Sequence, residues 1–286
     1  MGWCNGEDTQ SLMNFAIFDI ETRIDKALIQ SVMYPHEDVT EEEAYQRFRQ
    51  QIRAERDNHS DFLPIAFHVP ISIVVGNVAG DYTLTAVEVL CAQDYSEEGI
   101  VCEFWRRVEI FPGTLVSFNG RAFDLPVLEM QALRYGCQAP RYFNEKYGHR
   151  YRYSEERHYD LFDFLSNVGA HRIRGGFNLL ARLIGLPGKT WVDGSMIQGL
   201  WEAGQLSLIH TYCRQDVIQT YGLFLRIELM RGRLTSEAYR AAWDAAAPFR
   251  AELSEIPGGA RAVANRVDAL AGQEGTSGGA QPEANS

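Results

Sequence analysis

The sequence predicts one mixed-sheet domain of the α/β or α+β class, and three observations support this. Short apolar runs typical of strands occupy the first half of the chain, at residues 14–20, 65–78, 83–91 and 114–118. From residue 124 onward helical spacing dominates. The turn Ala79-Gly80-Asp81 joins two of the strands as a hairpin, which argues against an all-parallel sheet.

The first elements follow from their local patterns. The run NFAIFDI (14–20) predicts a central strand that is covered on both faces. Thr40 and Glu43 form a T-x-x-E capping box, and it predicts the start of a helix. Apolar side chains recur at helical spacing after that box, at Tyr45, Phe48 and Ile52.

Later patterns predict further helices and the limits of the domain. The predicted helices cover about 96–109, 125–135, 178–184, 207–231 and 235–249. Gly136 follows the second of them as a C-cap. Residues 1–12 are polar and predict a flexible arm, and 256–286 form a tail that is expected to be mostly disordered. Residues 13–255 remain as the folded domain.

Composition limits the function classes. The formal net charge is −11, from 27 Lys+Arg and 38 Asp+Glu, which is a poor fit to a protein that coats nucleic acid through a broad basic surface. Metal ions can still neutralise phosphates locally. No apolar run approaches the ~18 residues of a membrane span, and no secretory leader is expected. The five cysteines include no C-x-x-C pair, which predicts reduced thiols in a cytoplasmic protein, with neither a zinc site nor a disulfide.

Two carboxylates lie at the end of the first predicted strand, in FDIET (18–22). Asp19 and Glu21 project to the same side because side chains alternate along a strand. Neighbouring carboxylates repel each other unless a cation or proton intervenes. The pair therefore indicates a divalent metal, with a strand that simply runs out into solvent as the alternative.

Two later segments add candidate residues. In SFNGRAFDLPVL (117–128), Asp124 lies at a predicted helix N-cap, and capping alone would explain it. In TYCRQDV (211–217), Tyr212 and Asp216 are spaced i, i+4 and share a helix face. Such a tyrosine can orient a water for attack, or it can be a buried tyrosine bonded to an aspartate. Cys213 is expected to pack in the core.

The three segments together resemble a known family. Their order, D-x-E, N-x-x-x-F-D and Y-x-x-x-D, resembles the DEDDy 3′→5′ exonucleases of the DnaQ-like, ribonuclease-H-like superfamily. The matching residues are Asp19, Glu21, Asn119, Asp124, Tyr212 and Asp216. FDIET and Y-C-x-x-D are similar to the exonuclease domain of family-B DNA polymerases. LPGKTWVDGS (186–195) resembles the predicted stand-alone exonucleases related to that domain.

The resemblance covers roughly 13–230 and implies a fold and a site. The implied fold is a five-stranded mixed sheet flanked by helices. Asp19 would bridge two Mg²⁺ or Mn²⁺ ions, with Glu21 and Asp216 on the first and Asp124 reaching the second through waters. Oxygen ligands suit these ions, and two of them about 4 Å apart can activate water and stabilise a leaving oxygen. Tyr212 would orient the water. The implied substrate contacts are Ile20, Thr22, Asn119, Phe123 and Lys189.

The resemblance implies hydrolysis of phosphodiester bonds from the 3′ end of single-stranded DNA. One alternative is an exoribonuclease of the same fold, because the four carboxylates do not exclude a 2′-hydroxyl. An alternative from another class is a non-catalytic module that binds nucleic acid or a partner, although such a module gains nothing from clustered acids. No membrane partner is expected, and a protein partner stays open.

A few residues remain open on the sequence alone. Asp160, in HYDLFDFL, is either a further acidic motif of these exonucleases or a helix N-cap. Arg121 and Arg174 are candidate phosphate contacts. His158 and His171 have no second ligand at metal spacing and receive no role.

Overall fold

A computed structural model describes residues 13–56, 60–91, 93–189 and 194–254. The strands are β1 (Met13–Ile24), β2 (His68–Ala79), β3 (Leu84–Val89), β4 (Thr114–Ser117) and β5 (His158–Asp160). The helices of the first half are α1 (Lys26–Met33), α2 (Glu41–Glu55), α3 (Glu97–Ile110), α4 (Asp124–Tyr135) and α5 (Pro140–Asn144). Those of the second half are α6 (Leu161–Leu165), α7 (Gly176–Leu183), α8 (Ile197–Glu202), α9 (Leu206–Met230), α10 (Ser236–Ala245) and α11 (Ala247–Arg250).

The five strands form one mixed sheet in the order β3-β2-β1-β4-β5. The hairpin pairs β2 with β3 antiparallel, and β1 runs antiparallel to β2. The pairs β1–β4 and β4–β5 are parallel. The predicted mixed sheet flanked by helices is therefore confirmed, and the fold is the ribonuclease-H-like α/β architecture.

Helices cover both faces of the central strand. Ile17 packs with α9 residues such as Val217 in one hydrophobic cluster. Phe18, which points the opposite way, packs with Phe104 of α3 and Leu128 of α4 in another. This alternation follows from the two-residue period of a strand, and it sends Asp19 and Glu21 toward the α9 layer.

Several local predictions are confirmed and others are adjusted. Thr40 and Glu43 form the capping box of α2, and Gly136 ends α4 in the left-handed conformation (φ +70°). The run predicted as a strand from residue 65 begins with a short 3₁₀ turn, so β2 starts at His68. The helix predicted over 235–249 divides into α10 and α11 at Ala246, just before Pro248, which has no N–H for a helical hydrogen bond.

The prediction about cysteines was wrong. Cys102 of α3 and Cys137, which follows α4, form a disulfide with their Cα atoms 5.3 Å apart. The two residues are 35 positions apart, and they meet because α3 packs on α4, which spacing could not show. Cys91 and Cys213 are free. A disulfide is typical of oxidising compartments, and the expected cytoplasmic location stays a prediction.

The terminal predictions lie outside the described residues. The arm at 1–12 and the tail at 256–286 therefore stay predictions. Within the described part of the chain, no helix is long and apolar enough to cross a membrane.

Candidate metal centre

Three carboxylates converge at the carboxyl end of β1. Asp19 and Glu21 come from that strand, and Asp216 comes from α9, which packs on it. One oxygen from each of the three lies within 4.8 Å of the others. Glu21 is buried, whereas Asp19 and Asp216 keep part of their surface open. The geometry fits a cation held from two layers of the fold.

A glycine in β2 allows the helix to come this close to the sheet. Gly76 pairs with Ile17 of β1 and faces α9. A Cβ atom at position 76 would lie 2.9 Å from Cγ1 of Val217, the residue after Asp216. Because Val217 is buried and its branched side chain has little rotational freedom, it could not move aside cheaply. The absence of a side chain at Gly76 therefore helps bring Asp216 toward β1.

Asp124 joins the group from α4. It is the first residue of that helix rather than its N-cap, which is Phe123, so the expected capping role was wrong. The Oδ1 atom of Asp124 accepts a hydrogen bond from the backbone N–H of Ile20 at 3.2 Å. The side chain thus reaches across to β1, between the two acids of that strand in sequence.

Burial and mutual repulsion shift the pKa values of these acids. Burial, followed by the charges of Asp124, Glu21 and Asp216, raises the pKa of Asp19 well above its ordinary value. Burial and Asp216 also raise the pKa of Glu21. Burial raises the pKa of Asp124 to about 7 and that of Asp216 to about 6. A bound cation would favour the ionised forms, as metal ligation requires.

Lys189 and Tyr212 complete the rim of the cluster. The Lys189 ammonium lies 5.9 Å from the centre of the Tyr212 ring, and its charge partly offsets the rise in the pKa of Glu21 and Asp216. The buried Tyr212 hydroxyl lies near the Asp216 carboxylate and interacts with it electrostatically. Burial and the neighbouring acids raise the pKa of Tyr212, so its hydroxyl stays protonated.

Cys213 contacts the cluster from the core side. The residue is fully buried, as expected for core packing. Its Sγ lies 3.4 Å from both the carbonyl oxygen and Oδ2 of Asp19, as a weak donor to each. It therefore also helps hold the Asp19 side chain.

The donor set fits a hard divalent cation. Asp19, Glu21 and Asp216 offer only carboxylate oxygens, the ligands that Mg²⁺ and Mn²⁺ prefer. Asp124 adds a fourth carboxylate whose charge raises the pKa of both Asp19 and Glu21. Few protein ligands suffice for Mg²⁺, because it keeps several waters and takes up substrate phosphate oxygens.

The carboxylates line a pocket of about 540 Å³, within the range in which small ligands bind. Four of the expected substrate contacts line it as well, namely Ile20, Asn119, Phe123 and Lys189. The fifth, Thr22, is not in the lining. Its hydroxyl lies 2.9 Å from Nδ1 of His68.

Two groups of side chains, most of them aromatic, line or adjoin this pocket. We name the first the α4 wall: Phe62, His68 and Phe123, whose ring centres are 5.0–5.5 Å apart. We name the second the α7 wall: Phe118, Phe162, Ile173 and Phe177, in which Phe118 contacts the other two rings. Of these residues, sequence reasoning assigned a role only to Phe123. Phe62 lies outside the elements predicted from the sequence, two residues before Pro64, and this position was a weak signal for a second ring at the site.

Asp160 and Arg121 have structural roles. Asp160 is the N-cap of α6, and it also accepts hydrogen bonds from the backbone N–H groups of Asn119 and Arg121. It thereby holds the loop between β4 and α4. The Arg121 guanidinium donates to the carbonyls of His149 and His158, so it is not a free phosphate contact.

A protein family matches this chain. The family is described as a predicted 3′-5′ exonuclease related to the exonuclease domain of PolB, and its model matches residues 60–255. The chain belongs to this family. The match contains Asp124, Tyr212 and Asp216, whereas Asp19 and Glu21 precede it on β1. None of the curated proteins compared with the chain matches it.

Membership has two direct implications. The PolB-related exonuclease family implies a nuclease with a nucleic-acid substrate. The acidic cluster agrees with the metal dependence that is usual for such domains.

Proposed function

We propose that the chain is a metal-dependent 3′→5′ exonuclease that removes nucleotides from single-stranded DNA by a two-metal-ion mechanism. The observation that carries the proposal is the convergence of Asp19, Glu21 and Asp216 within 4.8 Å in a pocket that also contains Asp124 and Tyr212. The PolB-related family supports the reaction class. The catalytic domain would span 13–255.

Each acid has a distinct place in this proposal. Asp19 would bridge both ions, Glu21 and Asp216 would complete the first, and Asp124 would hold waters of the second. When bound, two such ions lower the pKa of a water and neutralise charge on the phosphate and the leaving oxygen. Hydrolysis forms a bond from the water oxygen to phosphorus and breaks the bond from phosphorus to the 3′ oxygen of the preceding nucleotide. The products are a 5′-mononucleotide and a strand with a new 3′-hydroxyl.

Tyr212 would position the attacking water rather than take its proton. Its hydroxyl stays protonated beside three acids, so it acts as a hydrogen-bonding group. Lys189, at the rim, would contact a substrate phosphate. Phe123 would stack on the terminal base, while Ile20 and Asn119 would shape the pocket around it. Thr22 would act indirectly, through His68 of the α4 wall.

The buried acids argue against a module that only binds. Burial of Asp19 with three other carboxylates nearby disfavours ionisation and destabilises the folded state near neutral pH unless a cation compensates. Such a cost is understandable in a catalytic metal site, whereas a binding surface would have no use for it.

The test is digestion of 5′-labelled single-stranded DNA, duplex DNA, RNA and circular DNA with Mg²⁺ or Mn²⁺. We expect single-stranded DNA to shorten stepwise from its 3′ end with release of 5′-mononucleotides. Asp19→Asn and Asp216→Asn should each lower the rate by at least about a hundredfold. Asp94→Asn, an exposed acid outside the pocket, is the matched control. Faster cleavage of RNA would favour the exoribonuclease, and cleavage of circular DNA would overturn the proposal.

A further inference from the structure

The two aromatic walls belong to different faces of the sheet. Phe123 of the α4 wall packs against the cluster of α3 and α4. Phe118, Ile173 and Phe177 of the α7 wall pack against the cluster of α9. Both groups reach the pocket that holds the carboxylates. The pocket therefore has two separate apolar surfaces, each suited to a flat ring.

The α7 wall is flanked by positive charge. Arg172 and Arg174 stand on either side of Ile173, and both are exposed. Within the described residues, neither arginine has a hydrogen-bond, ion-pair or ring partner. Gly175 follows with φ of +91°, a conformation that favours glycine, and the turn there lets both Ile173 and Phe177 line the pocket. In a chain of net charge −11, these two exposed arginines on either side of Ile173 place positive charge beside an acidic site.

The α4 wall has a different charge environment. Burial lowers the pKa of His68 to about 4, so its ring is neutral at pH 7. Two nearby arginines are engaged, since Arg56 donates to the carbonyl of Phe62 and Arg49 pairs with Asp61. This wall offers rings with little free charge.

The two sides of the scissile phosphate in a bound strand also differ in charge. On the 5′ side of the scissile phosphate the strand continues, with one negative phosphate for each further nucleotide. On the 3′ side the terminal nucleoside ends in an uncharged hydroxyl. Stacking surfaces with adjacent cations bind continuing single strands, whereas a terminal nucleoside needs only an apolar surface.

We propose that the α7 wall with Arg172 and Arg174 is a strand subsite, which binds the nucleotides on the 5′ side of the scissile phosphate. The α4 wall then receives the 3′-terminal nucleoside. This inference rests on the proposed exonuclease function. It orients the bound strand, with its 5′ side at the α7 wall and its 3′ end at the α4 wall. It also assigns the phosphate contacts of an acidic protein to the short loop that contains Arg172 and Arg174.

Two substrates separate the subsites. Thymidine 5′-monophosphate p-nitrophenyl ester presents the terminal nucleotide with p-nitrophenolate as the leaving group, and it has no continuing strand. A single-stranded oligothymidylate has both a terminal nucleotide and a continuing strand. For Arg172→Ala/Arg174→Ala, we expect the ratio of kcat/KM on the oligonucleotide to kcat/KM on the ester to fall about tenfold, mainly through KM. The slope of log K against log salt should become shallower by about 1.4, for two lost contacts to a single strand.

The matched control removes two charges elsewhere. Arg106→Ala/Arg240→Ala deletes two exposed arginines that pair with Glu103 and Glu237, outside the pocket. We expect this control to keep the ratio and the salt slope. Phe62→Ala, in the α4 wall, should lower kcat/KM for both substrates to a similar extent.

Binding provides a readout that does not need hydrolysis. Fluorescence anisotropy of a labelled oligothymidylate, with Ca²⁺ in place of Mg²⁺, should show weaker binding by the arginine variant than by its control. Equal binding and an unchanged ratio would overturn the strand subsite while leaving the exonuclease proposal standing. If neither substrate were cleaved but the binding difference remained, the exonuclease proposal would fail and the assignment of a 5′ side with it, and Arg172 and Arg174 would mark only a surface that binds single strands.

Discussion

The Oδ1 atom of Asp124 accepts a hydrogen bond from the backbone N–H of Ile20, 3.2 Å away and 104 positions earlier in the chain. This bond links the start of α4 to β1 between Asp19 and Glu21. One oxygen of Asp124 is therefore committed to holding the two elements together. In the proposed mechanism, the other oxygen would hold waters of the second ion.

Asp124→Asn tests this division. Asparagine keeps an oxygen that can accept from Ile20 but loses the negative charge. We expect a fall in kcat of at least about a hundredfold while the fold stays intact. Asp124→Ala should match that loss of activity and be less stable than Asp124→Asn, because it leaves the buried N–H of Ile20 without its partner. Rates and thermal unfolding of the two variants check the prediction, and a fully active Asp124→Asn enzyme would contradict it.

The raised pKa of Asp124 predicts a pH dependence of stability in the metal-free protein. Its pKa is about 7 in the folded chain against an ordinary value of 3.8, so the folded state binds the additional proton between these values. Stability from this group is complete below about pH 4 and is lost as pH rises to 7, at up to about 1.4 kcal/mol per pH unit.

Comparison with Asp124→Asn tests that contribution together with the effect of the Asp124 charge on Asp19 and Glu21. Buried His68 and His149, whose pKa values are lowered to about 4, act in the opposite direction and are common to both proteins. In EDTA, the advantage of Asp124→Asn in unfolding free energy should grow from pH 4 to 7 and then level off. Added Mg²⁺ should reduce this stability advantage of Asp124→Asn. Parallel denaturation curves across this range would refute the assignment.

Tyr212→Phe should separate turnover from metal binding. The variant loses a hydroxyl near the Asp216 carboxylate but loses no carboxylate. We expect kcat to fall about tenfold or more while the Mn²⁺ affinity changes far less than in Asp19→Asn. Tyr221→Phe removes another buried hydroxyl from the same helix and is the control, with a cost to stability only. Calorimetric titration with Mn²⁺ would expose a ligand role for Tyr212 if the affinity collapsed.

The Cys102–Cys137 disulfide should stabilise the fold without serving the reaction. It closes a loop of about 35 residues between α3 and the end of α4, for which chain entropy predicts about 3–4 kcal/mol. Cys102→Ser/Cys137→Ser should lower the free energy of unfolding by about this amount while kcat stays the same. Urea denaturation with and without a thiol reductant checks this, and a reductant that leaves the wild-type midpoint in place would contradict it.

Local patterns predicted the features that depend on neighbouring residues. The period of a strand predicted that Asp19 and Glu21 share a face, and one cluster now contains both. The helical spacing of Tyr212 and Asp216 likewise agrees with the electrostatic interaction between their side chains. Each relation spans at most four positions, so the backbone period alone determines it.

Features that depend on packing between distant segments were not predictable. The short strand β5 has three residues, too few for a periodic pattern. Asp124 looked like a cap because the sequence shows its distance from the helix but not its bond to Ile20. Phe62 and Phe177 are 115 positions apart, and only the folded chain brings rings from both segments to the same pocket or its edge.

The close approach at Gly76 makes the carboxylate cluster depend on a residue that offers it no ligand. A single methyl group there would meet Val217 and act as a wedge between β2 and α9. Asp216 would then move away from Asp19 and Glu21, although every acid would still be present. During divergence of this family, a change at such a position could silence the enzyme and preserve its acidic motifs. Intact motifs in a related chain are therefore a sign of ancestry before they are a sign of activity.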